Sequence, residues 1–168
     1  TKVGAQQSIS EFFVYDRERD TVWAIKTDSI PGIKDLPDYV KDYPKQLEDR
    51  KKKNENRAVS FTGTSCSPKG SYVVFDIRAN DNKDRWLMRL DTATGKLMLL
   101  DRQRDEAWIG GPGTGGFGGG SAGWLDDNTF WFRSEATGYS HLYSVNVITG
   151  EKKPLTSGTY EVQQVSLS

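Results

Sequence analysis

Residues 64–101, TSCSPKGSYVVFDIRANDNKDRWLMRLDTATGKLMLLD, and residues 121–158, SAGWLDDNTFWFRSEATGYSHLYSVNVITGEKKPLTSG, follow one order of events. In each, a polar turn (Ser67-Pro68-Lys69-Gly70 or Asp126-Asp127-Asn128) opens an aromatic strand, Tyr72 to Ile77 or Thr129 to Arg133. A polar loop leads to a second strand, Trp86 to Asp91 or His141 to Val147. A Thr-Gly hairpin turn (Thr94-Gly95, Thr149-Gly150) then reverses the chain into a last strand through Leu97–Leu100 or Pro154–Thr156. Val, Phe, Trp and Tyr set in short runs between turn residues spell strands. The spacing of about 57 positions between Phe75 and Phe132 suits one blade of a β-propeller.

Working outward, EFFVYDRERDTVWAIKTD has the pattern of the last two strands of an earlier blade, with Arg19-Asp20 at the turn, and YEVQQVSLS that of the first strand of a later one. The expected fold is all-β, part of a β-propeller with about two complete four-stranded blades and partial blades at both ends. Its segments are 1–29 (end of one blade), 30–57 (charged insertion), 58–101 (full blade), 102–123 (Gly-rich connection), 124–158 (full blade) and 159–168 (first strand of the next). A propeller closes its ring with typically four to eight blades, and an open one leaves strand edges and apolar faces uncovered. The native molecule is therefore expected to be larger than these 168 residues.

Composition narrows the function classes. Lys and Arg number 23 and so do Asp and Glu, for a formal net charge of zero, which gives no electrostatic footing for nucleic acid or an anionic membrane. The chain has one cysteine, Cys66, and one histidine, His141, which excludes an internal disulfide and argues against a zinc or histidine-rich metal centre. No metal and no cofactor is expected. No apolar run has the length of a membrane span. In the insertion, Glu48 and Asp49 precede the basic run Arg50-Lys51-Lys52-Lys53 and Glu55 follows it, so a solvated helical turn or loop is expected there rather than a binding patch.

Gly119-Gly120-Ser121-Ala122-Gly123 matches the G-x-S-x-G of a hydrolase nucleophile elbow. An elbow needs a buried strand before the serine and a helix after it. Here glycines precede Ser121 and WLDDNTFWF follows, a turn and a strand, so Ser121 is not assigned as a nucleophile. The same glycines lack the Gly-Lys-Ser/Thr of a phosphate loop. They are expected to form a long inter-blade connection in which Trp108, Phe117 and Trp124 pin an otherwise loose loop, with a role as a lid as the alternative. His141 is expected to be structural, at a strand start, and Cys66 a small packed residue.

Residues 132–162 resemble the N-terminal β-propeller of the dipeptidyl peptidase IV group within the prolyl oligopeptidase family of serine peptidases. The matching features are Ser134-Glu135, Gly138-Tyr139, His141-Leu142-Tyr143, Leu155-Thr156-Ser157-Gly158 and Tyr160-Glu161-Val162. SPKGSYVVF, residues 67–75, is similar to a strand-opening motif that periplasmic and WD-like propellers also carry. The resemblance implies a C-terminal α/β-hydrolase domain with the serine, aspartate and histidine, outside this chain, and a propeller that restricts which peptides reach them. The implied partners are a peptide substrate, that hydrolase domain and, for the parent, a homodimer; the implied address is periplasmic or secreted. Dipeptidyl members also hold the substrate amino terminus with paired glutamates in a D-W-x-Y-E-E-like segment. None is found here, since Glu48-Asp49 lack the aromatic context.

No catalytic residue is assigned in the chain. Tyr139, Glu135 and Trp124 are the loop aromatics and acid that could face a peptide. Two alternatives stay open: a non-enzymatic propeller scaffold for protein–protein interaction, and a self-contained small β domain with accidental repeats.

Overall fold

The structure is a computed structural model and describes residues 11–111 and 121–166. Its fold is all-β: an antiparallel hairpin followed by two four-stranded antiparallel sheets, an unclosed part of a propeller. The hairpin joins β1 (Phe13–Asp16) to β2 (Thr21–Ala24) through Arg19 and Asp20. The first blade is β3 (Val59–Cys66), β4 (Val73–Ala79), β5 (Asp84–Leu90) and β6 (Leu97–Arg104), paired in that order. The second is β7 (Ala122–Trp124), β8 (Thr129–Ser134), β9 (His141–Asn146) and β10 (Lys152–Pro154).

The repeated turns in the sequence are repeated turns in space. Gly95 N–H reaches Asp91 C=O and Gly150 N–H reaches Asn146 C=O, each at 2.8 Å, and both glycines have positive φ, +69° and +76°. That conformation costs a residue with a Cβ about 1–2 kcal/mol. The polar turns work alike, with Asp126 Oδ1 accepting the N–H groups of Asn128 and Thr129 at 2.7 and 2.8 Å.

Alternation along the strands sends side chains to two cores. Phe75, Ile77, Trp86, Met88 and Leu90 pack toward the hairpin, where Phe12, Phe61 and Phe75 form a cluster with ring centroids 4.8–5.4 Å apart. Val74, Leu87 and Leu100 pack the other way, against Phe130, Phe132, Tyr143, Val145 and Val147 of the second blade. Burying each of Phe130 and Phe132 stabilises the blade contact by about 1.5–3 kcal/mol.

β6 changes phase on the way. Leu87 pairs with Asp101 but Met88 with Leu99, so Leu100 is an extra residue. Beyond it Asp101 and Gln103 face the second blade while Arg102 and Arg104 face the opposite way.

Several expectations need correction. The insertion carries a 3-10 turn (Asp38–Asp42) and helix α1 (Pro44–Lys53), whose basic run is solvated as expected with no buried residue, but the insertion as a whole is not a solvated segment. Ile30, Ile33, Pro37 and Val40 are buried, and Ile30 and Ile33, flanking Pro31-Gly32, fold back onto the core of the first blade. The glycine-rich connection is shorter than 102–123, since β6 continues to Arg104 by pairing with Asp84, and β7 already holds Ala122 and Gly123. Residues 159–166 form no strand, having no strand pairing among the described residues; Val162 N–H bonds Ser140 C=O instead. Cys66 is exposed rather than packed, as the last residue of β3 on the same face as exposed Thr62 and Thr64. Phe117 lies outside the described residues. Trp108 is 62% exposed.

Candidate functional site

Successive antiparallel strands put alternate turns at opposite ends of the blades. One end carries the β3–β4, β5–β6 and β7–β8 turns, joined where Lys69 N–H bonds Asp127 Oδ1 at 2.9 Å. The other collects the insertion, the β4–β5 turn, the segment after β6, the β8–β9 turn and residues 155–162. Contacts tie these together: Asp105 N–H to Lys83 C=O at 3.0 Å, Ile109 N–H to Asn82 C=O at 2.8 Å, and Asp38 N–H to Glu106 Oε2 at 3.0 Å.

At this second end a cleft of about 460 Å³ opens between the blades. Asp101, Gln103, Asp105 and Trp108 line one side, and Arg133, Glu135, Gly138 and Lys152 the other. Behind its lining runs an ionic network that reaches the cleft through Gln103. Asp76 and Arg85 are both buried, with Arg85 Nε donating to both carboxylate oxygens at 3.1 Å and Nη2 to Oδ2 at 2.8 Å. Arg85 Nη1 donates to Gln103 Oε1 at 3.2 Å, and Gln103 Nε2 bridges to Asp101 Oδ2 and to Arg133 C=O, both at 3.0 Å. Lys152 Nζ meets Asp101 Oδ1 at 2.6 Å across the blades. The blade contact thus grades from apolar to ionic toward the cleft.

The rim is acidic. Glu135 rests on Gly111, where a Cβ would lie 1.8 Å from Glu135 Oε1 and φ is +86°. Partial burial, then the charges of Glu161 and Asp105, push the Glu135 carboxyl above its ordinary value.

A second cluster lies on the other face of the first blade. Asp84, fully buried, accepts Arg102 Nε at 2.8 Å, Arg104 Nη1 at 2.6 Å and Arg57 Nη2 at 2.7 Å. Arg57 also donates to Gly32 C=O at 2.8 Å and Asp81 at 3.2 Å, and Arg102 to Asp35 at 2.6 Å. Both Arg57 and Arg102 lie over the Trp86 ring, whose Nε1 donates to Pro31 C=O at 2.9 Å.

The residues singled out in the sequence fall in different places. His141 is buried in β9 with both ring nitrogens engaged: Nε2 donates to Gly158 C=O at 3.0 Å, and Nδ1 lies 3.2 Å from Thr156 Oγ1. Neither nitrogen is left to act as a base. Ser121 is buried immediately before β7, a strand and not the helix an elbow needs; Gly119 and Gly120 lie outside the described residues. Glu135 and Tyr139 occupy the β8–β9 turn, Glu135 on the cleft and Tyr139 exposed beside His141, ring centroids 6.5 Å apart. Trp124 is a strand residue between the blades, donating to Ser65 Oγ at 3.0 Å and edge-on to Phe130 at 5.1 Å. No group of three or more His, Cys, Asp or Glu among the described residues is arranged to hold a metal, and no helix among them is long and apolar enough to cross a membrane.

The family model for the dipeptidyl peptidase IV N-terminal region matches residues 2–168. The chain belongs to that family. Its fold is also that of a Bacteroides ovatus ATCC 8483 protein assigned as a dipeptidyl aminopeptidase IV, at a TM-score of 0.53 and 14% identity over 88% of this chain. The match spans 19% of that protein's length. No curated protein matches the sequence.

Sequence reasoning missed the Asp84 cluster, because NDNKDR reads as a polar loop and its three arginine partners lie 18 or more positions away. The signal for the Asp76–Arg85 pair was present: an acid inside the apolar run YVVFDI has to find a base.

Proposed function

We propose that this chain is the propeller segment of a serine peptidase, and that it restricts and positions peptides for a C-terminal α/β-hydrolase domain in the same parent protein. The observation that carries the reading is the family match over residues 2–168 together with a histidine whose two nitrogens are committed to Thr156 and Gly158. In this reading the reacting groups stand on another domain. The parent's chemistry in this reading is acyl transfer through a serine ester, with a histidine as general base and an oxyanion hole for the tetrahedral intermediate. The end that holds the cleft, Glu135 and Tyr139 is the one that meets the peptide, since its loops and open volume can accommodate an extended chain. Export to the periplasm or medium and dimerisation of the parent belong to the same reading.

The test is exposure of the intact protein to a fluorophosphonate probe, followed by mass analysis of its peptides. One label on a serine beyond Ser168 supports the reading. An intact protein that takes no label is a scaffold, and the peptidase assignment fails.

A further inference from the structure

The Asp84 cluster and the cleft share one strand. Past Leu100, β6 works on two faces: the side chains of Asp101 and Gln103 tie it to the second blade, those of Arg102 and Arg104 hold Asp84, and all four residues line the cleft. The insertion is anchored to that cluster from both of its ends. Gly32 C=O, Ile33 C=O and Asp35 bind Arg57 or Arg102 near its beginning, and Arg57 itself stands at its close. Glu106 adds a third tie, accepting Arg104 Nη2 on one oxygen at 2.5 Å and Asp38 N–H on the other. Between the anchors, α1 buries no residue, and the buried apolar residues of the segment are Ile30, Ile33, Pro37 and Val40, all ahead of the helix. A segment with so little buried surface opens locally before the blade does.

We propose that residues 30–57 are a strap latched by Asp84, and that the latch couples the strap to the cleft: when the strap lifts, the end of β6 and the 105–111 segment loosen with it. The mechanics follow from the shared carboxylate. Arg57 leaving Asp84 takes with it the bonds to Gly32 and Ile33, and Arg102 loses Asp35, so Arg102 is left with Asp84 as its carboxylate and Arg104 with Asp84 and Glu106. The strap therefore sets how rigidly the cleft is held, whatever the cleft binds.

Hydrogen exchange of the intact protein tests this with Arg57→Gln and, separately, Asp35→Asn. Both leave Asp84 paired with Arg102 and Arg104, and Asp35 is half-exposed, so neither strands a buried charge. Exchange is expected to rise at least about fivefold in residues 30–57 and, together with it, in residues 101–111, while β4 and β9 stay protected. Faster exchange in 30–57 alone would make the strap an independent flap and overturn the coupling. Unchanged exchange in both segments would mean there is no latch. Because this readout does not use activity, it stands or falls separately from the peptidase reading.

Discussion

Replacing Asp76 with leucine should unfasten the first blade from within. Asp76 and Arg85 are both within about a hundredth of full burial, and the carboxylate accepts all three of the short bonds from Arg85 Nε and Nη2. Asp76→Leu leaves a guanidinium in the interior with Gln103 Oε1, at 3.2 Å, as its remaining partner. An uncompensated buried charge costs about 3–5 kcal/mol, or roughly a hundred- to several-thousand-fold in the opening equilibrium at about 1.4 kcal/mol per factor of ten. Arg85→Met should cost a similar amount, for Asp76 is then the stranded charge. The double variant Asp76→Leu/Arg85→Met removes both charges and leaves the Gln103 carbonyl oxygen without its donor, a penalty of about 1–3 kcal/mol. It should therefore be more stable than either single variant, with a coupling of several kcal/mol. Native-state hydrogen exchange at the slowest amides of β4 and β5 is the appropriate assay, because it reads the stability of this blade directly. Additive costs in the double variant, or a single-variant cost below about 1 kcal/mol, would refute the reasoning.

Three further outcomes are expected. Gly32→Ala should lower the stability of the 30–57 segment by more than the 1–2 kcal/mol of a left-handed residue, since a Cβ there would also lie 2.2 Å from Arg102 Nη1; exchange in 30–57 checks it. Glu135 has its carboxyl raised in the folded state, so the native state holds this proton more tightly than the unfolded one. Its contribution is fully present below the ordinary glutamate value and lost as pH rises through the raised one. Glu135→Gln should thus raise the unfolding temperature at neutral pH, and the gain should vanish below about pH 4, the ordinary carboxyl range. Ser121→Ala should leave fluorophosphonate labelling of the intact protein unchanged, measured by the mass of the labelled species; loss of the label would restore the elbow.

The blades were legible because two periodicities coincide in them: strands that alternate, and turns whose glycines must take positive φ. Phe75 and Phe132 occupy matching strands, and Gly95 and Gly150 matching turns, so the sequence states each fact twice. The cleft was less legible. Glu135 and Tyr139 could be placed on a loop, but nothing in their neighbourhood says that Asp105 and Glu161 share the rim with the glutamate, since tertiary contacts such as Val162 N–H to Ser140 C=O, not sequence distance, bring them together. The insertion was legible only in part. Its solvated basic helix was expected, but the burial of Ile30, Ile33, Pro37 and Val40 was not, because they are too few and too irregularly spaced to form a period. Trp124 was misread as a loop aromatic because glycines before it hide the start of β7.

The phase of β6 has a consequence for how this domain can change over time. A strand read on both faces cannot lose one residue beyond Leu100 without exchanging its two jobs, sending arginines to the neighbouring blade and an acid toward Asp84. Substitutions there can be tried singly, but length cannot. Variation in the spacing of residues 101–104 should accordingly be far rarer than variation in their identity, while Pro44–Lys53, whose helix is answerable to no core, is free to lengthen or shrink.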